Sequence, residues 1–264
     1  MNFALVIVGD EILSGKRVDK HLPKLIELLA ARGLALAWAR YVGDDRRRIT
    51  QALRDAFASG DVVFSCGGIG ATPDDHTRQC AAAALGVELV LHPEARELIT
   101  QRMREQAAEK GVAFDPGAPD NVHRLNMGMF PAGASIIANP FNKIPGFSVG
   151  EVHFVPGFPV MAHPMIESLL DTVYASLHGS QRLRERSLIV SGAPEAALTP
   201  LMERIEAVHP GVKVFSLPSV DHPQFGRHIE LGVKGRGAAL YAAFDALREG
   251  VVQYGASVGP EMVR

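Results

Sequence analysis

The stretch Val62-Val63-Phe64-Ser65-Cys66-Gly67-Gly68-Ile69-Gly70-Ala71-Thr72-Pro73-Asp74-Asp75-His76-Thr77 constrains the fold of this chain more than any other. A short apolar run gives way to three glycines, then to two adjacent aspartates and a threonine, and then to an alanine-rich segment of helical character. Strand, glycine loop and helix start, in that order, bring free backbone N–H groups and a helix dipole to bear on an anion. Asp74 and Asp75 would repel a bare phosphate. Either the anion sits elsewhere or a cation mediates.

The surrounding chain repeats the alternation of strand and helix. Ala4 to Val8 is a continuous aliphatic run, the pattern of a strand buried on both faces of a parallel sheet. Between Asp19 and Arg32 the apolar positions Leu22, Leu25, Ile26 and Leu29 recur at helical spacing, and Gly33 stops the helix. A second strand is predicted over Leu34 to Val42. After it Asp44 or Asp45 caps a helix with Ile49, Leu53, Ala56 and Phe57 on its apolar face. The strand at Val62 to Cys66 then leads through the glycine loop to a helix from about Thr77 to Leu85. Glu94 to Lys110 reads as a charged surface helix, and Phe114 to Gly133, rich in Pro, Gly and Asn, as a lid or insertion. A strand at Ser135 to Ala138, a turn-rich stretch to Phe147, a strand at Val152 to Val155 and a helix from about Val160 complete residues 1–177.

This order predicts an α/β domain with a mostly parallel sheet and helices on both faces. His178 to Glu185 is polar and reads as a linker. Beyond it the β-α-β-β-α order predicts a separate small α+β domain over 186–256.

Ligands of open α/β sheets bind beyond the carboxyl ends of the strands. Gly9-Asp10-Glu11 and Gly67 to Asp75 each follow a strand directly, so their acids should face one crevice. Carboxylate oxygens with few His or Cys nearby favour Mg²⁺ or another hard divalent cation, with Asp10, Glu11, Asp74 and Asp75 as its ligands. Such an ion would bridge to phosphate oxygens and remove the repulsion noted above, making Glu11, Asp74 and Asp75 the candidate catalytic groups. The plainer alternative is that each acid, Asp19 included, only caps a turn or a helix start. Thr72 and Thr77 could bind phosphate or cap the helix. Gly67, Gly68 and Gly70 could admit a ligand or simply make the turn. Lys143 could neutralise a phosphate or be an ordinary exposed lysine, and Asn139 and Asn142 can satisfy turn backbone groups. Pro156-Gly157 forms a rigid turn at a strand end, lining the same crevice.

Composition narrows the partners. A net charge of -2 with no long basic run gives no electrostatic footprint for nucleic acid, and Arg46-Arg47-Arg48 reads as a solvated helix face. Two cysteines, Cys66 and Cys80, provide neither a disulfide framework nor metal-ligand spacing. The apolar run at the N-terminus meets Asp10 and Glu11 too early for a signal peptide or a membrane span. A cytoplasmic protein with no membrane partner is expected.

The loop from Gly67 to Thr77 resembles the Gly-Gly-x-Gly-x-Thr-x-Asp-Asp-x-Thr signature of molybdopterin-binding domains. Its Asp-Asp pair is similar to the form at the N-terminus of competence/damage-inducible proteins. Gly9-Asp10-Glu11-Ile12-Leu13-Ser14-Gly15 with Asp19, the Asn139-Pro140 to Phe147 stretch, and Pro156-Gly157-Phe158-Pro159 agree in the same order. The resemblance covers most of residues 1–175. It implies an α/β sandwich, a homo-oligomer, and a small phosphorylated ligand, either a pterin phosphate such as molybdopterin or a nucleotide. The competence-protein branch implies cleavage of ADP-ribose-like or FAD-like pyrophosphates with a divalent ion and K⁺. In that light Asp10, Glu11, Asp74 and Asp75 are metal or water-activating residues, and Gly68, Gly70, Thr72, Thr77 and Lys143 are phosphate contacts. The chain departs from the pattern at Ala71, where proline is common, at His21, where asparagine is common, and at Val160-Met161, where a glutamate is common. The deamidase domain of full-length competence proteins is not expected within these residues.

Overall fold

Phe3–Val8 and Val62–Cys66, buried at every position, lie side by side as parallel strands in a six-stranded sheet. The computed structural model describes residues 2–180 and 184–264, which divide into two compact units, Met1–Gln181 and Arg182–Arg264. The first unit runs β1 (Phe3–Val8), α1 (Asp10–Leu13), α2 (His21–Ala31), β2 (Leu36–Val42), α3 (Arg46–Ser59), β3 (Val62–Cys66), α4 (Thr77–Leu85) and β4 (Leu89–Leu91). It continues with α5 (Pro93–Glu109), α6 (Pro119–Leu125), β5 (Met129–Pro131), β6 (Ser135–Ile137), β7 (Gly146–Val149), β8 (Val152–Val155) and α7 (Pro159–Thr172). The second unit contains β9 (Arg184–Ser191), α8 (Glu195–Val208), β10 (Lys213–His222), β11 (Gly226–Gly235), α9 (Gly237–Tyr254) and β12 (Ser257–Val263).

The strand order of the large sheet is β2-β1-β3-β8-β7-β6, parallel from β2 through β8 and antiparallel over the last two pairings. Alternate side chains of β1 enter different cores. Ala4, Val6 and Val8 pack with Ile49, Leu53, Ile99 and Met103 from α3 and α5. Phe3, Leu5 and Ile7 pack with Leu25, Leu29, Met165 and Ile166 from α2 and α7. Helices on both faces are thus the reason that these strands read as unbroken apolar runs. The expected α/β architecture with a mainly parallel sheet is the one formed.

Several boundaries differ from expectation for identifiable reasons. Asp45 caps α3, its carboxylate accepting from the Arg48 N–H at 2.9 Å, which leaves Asp44 for another role. The charged helix α5 buries Ala95, Ile99 and Met103, so it belongs to the core rather than lying loosely on the surface. The expected lid is tied down, because β5 pairs antiparallel with β4 and Phe130 is buried. Strand β7 was hidden by Pro145 before it and by Gly146 at its first position; it exists because β6 and β8 pair with it on either side.

The second unit is an antiparallel sheet in the order β10-β11-β9-β12, with Leu188, Val190, Leu231 and Val233 packed on Leu198, Leu201, Leu240 and Phe244 from its two helices. Strand β12 lies beyond the expected limit at 256. Pro260 argues against a strand in the sequence, yet β12 is an edge strand and the irregularity in its register falls between Val258 and Glu261, where a missing N–H is tolerated. Of the expected linker, residues 181–183 lie outside the described residues, and β9 already begins at Arg184. Among the described residues, no helix is long and apolar enough to cross a membrane.

Candidate functional site

The carboxyl ends of β2, β1, β3 and β8 stand next to one another, and the loops leaving β1, β3 and β8 carry predicted site residues. Gly67 is wedged between two of these ends. Its N–H donates to Val155 O at 3.1 Å, its φ is 102°, and a Cβ there would lie 2.3 Å from Val8 O. Gly68 follows with φ 70°, and a Cβ on it would lie 2.2 Å from the Thr77 hydroxyl. Thr77 is buried; its hydroxyl donates to Gly67 O at 3.0 Å and its N–H to Gly68 O at 2.9 Å. The expected phosphate contact at Thr77 is therefore engaged in stitching the start of the loop to the start of α4.

Farther along the loop Asp75 plays a comparable part. Its Oδ2 accepts from the Thr72 N–H at 2.8 Å and the Thr72 hydroxyl at 2.5 Å, and a Cβ on Gly70 would come within 2.5 Å of that oxygen. Asp74, by contrast, is exposed and held below the usual carboxylate range by hydrogen bonds from Thr72 and from its own N–H. The N–H groups of Gly68, Ile69, Gly70 and Ala71 have no hydrogen-bond partner among the described residues. Folded this way, the loop leaves four N–H donors open along its crest, with the exposed carboxylate of Asp74 beside them.

The second acidic loop is braced across the sheet. The Asp10 N–H donates to Asp44 Oδ2 at 2.9 Å while the Asp44 N–H donates to Asp10 Oδ1 at 3.1 Å. Burial pushes the Asp44 carboxyl upward, and the charges of Asp10, Glu11 and Asp74 push in the same direction against its hydrogen bond from Asp10. Acids from three strand ends therefore share one field. Asp44 is the residue that sequence reasoning missed, having treated it only as a possible helix cap. The signal was available: Asp44 follows β2 as Asp10 follows β1.

The four predicted metal ligands do not form a ready-made cage. Among the described residues, no three His, Cys, Asp or Glu side chains are grouped to hold a metal ion. Asp10 and Asp75 are engaged as described, whereas Glu11 and Asp74 are exposed and take part in no ion pair among the described residues. Two exposed carboxylates outside ion pairs suit Mg²⁺, which commonly takes one or two protein carboxylates and completes its shell with phosphate oxygens and water.

On the other side of the loop, Asn139 is buried and fully used. It accepts from the Phe141 N–H at 3.0 Å and donates to Asn142 Oδ1 at 2.8 Å and Ile144 O at 2.9 Å. This network shapes a turn in which Lys143 adopts φ 65° and forms an ion pair with Glu105 of α5. A cavity of about 130 Å³ lies between this turn and the loop, lined by Ile69, Gly70, Asn139, Asn142, Pro156 and Met161. At the departure His21, the buried ring's Nε2 donates to Gly157 O at 3.1 Å, and a Cβ on Gly157 would meet Gly67 Cα at 3.3 Å. From α6, His123 Nε2 lies 2.9 Å from Ala71 O, so the expected lid segment touches the loop.

Under the loop lies another residue missing from the expected set. Arg78, the second residue of α4, is 3% exposed and donates from Nη1 to Ile69 O. Nothing in the sequence distinguished it from an exposed helix arginine.

A family profile described as "Probable molybdopterin binding domain" matches residues 4–175. The chain belongs to the molybdopterin-binding domain family. Within that family it stands close to the CinA branch. A protein of Pyrobaculum calidifontis is 32% identical over 232 residues, 85% of each chain. A CinA-like protein of Anaeromyxobacter sp. (strain K) is 32% identical over 256 residues, covering 92% of this chain and 57% of that protein. The crystal structure of CinA, a protein of unknown function from Thermoplasma acidophilum, is similar with a TM-score of 0.54 and 28% identity, over 65% of this chain and 97% of that one.

Proposed function

We propose that the crevice binds a phosphorylated small molecule and hydrolyses a nucleotide pyrophosphate of the ADP-ribose or FAD type. The observation that carries this reading is the row of unpaired N–H groups from Gly68 to Ala71 with exposed Asp74 beside it and Glu11 and Asp44 sharing the same field. The N–H groups suit phosphoryl oxygens, which gain charge in the transition state. Asp44, braced against Asp10 at the end of β2 with its carboxyl pushed upward, would take a proton from the attacking water. Glu11 and Asp74 would hold a divalent cation together with phosphate oxygens. Such an ion supplies Lewis-acid polarisation of the phosphoryl group.

Purified protein given ADP-ribose or FAD with Mg²⁺ or Mn²⁺ should release mononucleotides. The double variant Asp74→Ala/Asp75→Ala should lose at least about 100-fold in turnover, as expected when charge stabilisation is removed from such a site. Retained turnover in that variant would refute these roles. The row of open N–H groups can receive a phosphate whether or not a metal is held, which carries a second reading, a pterin-phosphate-binding module without chemistry of its own. Metal-independent binding of molybdopterin with no turnover of any dinucleotide would decide for it.

A further inference from the structure

Arg78 carries a charge in a place that ordinarily excludes one. It lies in the first turn of α4, where the helix dipole disfavours a cation, and its guanidinium is almost wholly buried. Its Nε has no hydrogen-bond partner, and no carboxylate lies within ion-pair distance of it among the described residues. Burial lowers its pKa to about 10, with the field of Asp75 opposing that shift. Buried charges are normally paired, and an unpaired one is strongly destabilising. The neighbouring groups left open include four donors, the N–H groups of Gly68, Ile69, Gly70 and Ala71, with Ile69 fastened to Arg78 through its carbonyl. An acceptor-rich anion complements these donors and the buried charge together.

We propose that Arg78 is the fixed counter-charge of a phosphate seat on the Gly68–Ala71 crest, so that the loop holds a phosphate group without needing a metal ion. The acids then stand at the rim, where Asp74 is exposed and Asp75 is held by Thr72, while the cation lies beneath. This inference rests on the proposed reading of the ligand as phosphorylated and adds the residue that balances its charge.

Calorimetry in EDTA with pyrophosphate, ADP, AMP and adenosine tests it. Arg78→Gln keeps a donor for Ile69 O and removes the charge, whereas Arg78→Lys keeps both. ADP and pyrophosphate should bind Arg78→Gln about tenfold more weakly or worse, the cost of one charge-assisted hydrogen bond. Adenosine should be affected less than about twofold, and Arg78→Lys should recover much of the loss. Equal weakening of adenosine and ADP would reduce Arg78 to a structural role and overturn the proposal, as would Arg78→Gln binding ADP like the wild type. A wild type that binds pyrophosphate, AMP and ADP neither in EDTA nor in Mg²⁺ would overturn the phosphorylated-ligand reading itself. Should Arg78→Gln fail to fold, the wild type still decides. The buried Arg78 Nε–H resonance must shift when pyrophosphate is added in EDTA, and an unmoved resonance overturns the proposal.

Discussion

Gly68 sits where backbone conformation and side-chain space make the same demand. Its φ of 70° is open to glycine, and the space a Cβ would fill is occupied by the Thr77 hydroxyl at 2.2 Å. Gly68→Ala should therefore destabilise the first unit by about 2–4 kcal/mol, combining left-handed strain with overpacking. Urea unfolding measures this directly, and an unchanged midpoint would remove the lock between loop and helix. The same residue-by-residue view separates acids that looked alike in the sequence. Asp75 builds the loop, Asp10 braces Asp44, and Glu11 with Asp74 stay exposed and outside any ion pair among the described residues. Which acid does which depends on the loop turn or strand neighbour each one meets. A linear order of Asp and Glu does not contain that information.

Between elements, the contact of β7 and β8 with the end of α7 contains a buried chain of hydrogen bonds. The Tyr174 hydroxyl donates to Glu151 at 2.6 Å, so its oxygen accepts from His153 Nε2–H at 2.5 Å, while His153 Nδ1 accepts from the Ser148 hydroxyl at 2.7 Å. Burial lowers the His153 pKa from 6.5 to about 4, so the folded protein refuses a proton that the unfolded chain accepts. This contribution is fully present above pH 6.5 and is lost as the pH falls toward 4, by about 3 kcal/mol in all. The buried ring of His21 acts in the same direction. Unfolding free energy measured from pH 7.5 to pH 4.5 should fall more steeply in the wild type than in His153→Gln. Parallel profiles would exclude the histidine as the source. Helix and strand identities were largely readable at this scale: α4 spans the expected Thr77–Leu85, because an apolar run, glycines and alanines leave few alternatives. Strands β7 and β12 were not, since each contains or adjoins a proline and exists through the strands that flank it.

At the scale of the molecule, two cores share no residue. The clusters on either face of the large sheet belong to the first unit, and the Leu188–Val251 cluster belongs to the second. Each should melt as its own cooperative transition. A chain ending at Ser180 should unfold cooperatively, with a midpoint matching one of the two transitions of the whole protein. A single transition in the whole chain that is absent from the shortened one would show that the units fold only together.

Buried strands leave unbroken apolar runs and tight turns demand glycine at fixed positions, so the parallel sheet, the glycine loop at its carboxyl edge and the family were legible from the residues alone. Which polar groups remain open was settled by packing. Thr77 and Asn139 were absorbed into the scaffold, Lys143 was turned toward Glu105, and Asp44 and Arg78 were brought to the loop from positions that looked ordinary. The physical reason is that a hydrogen-bonding group is defined by what it has already paired with, and the folded path of the chain chooses that partner, near in sequence for Thr77 and Asn139 and distant for Asp44 and Lys143.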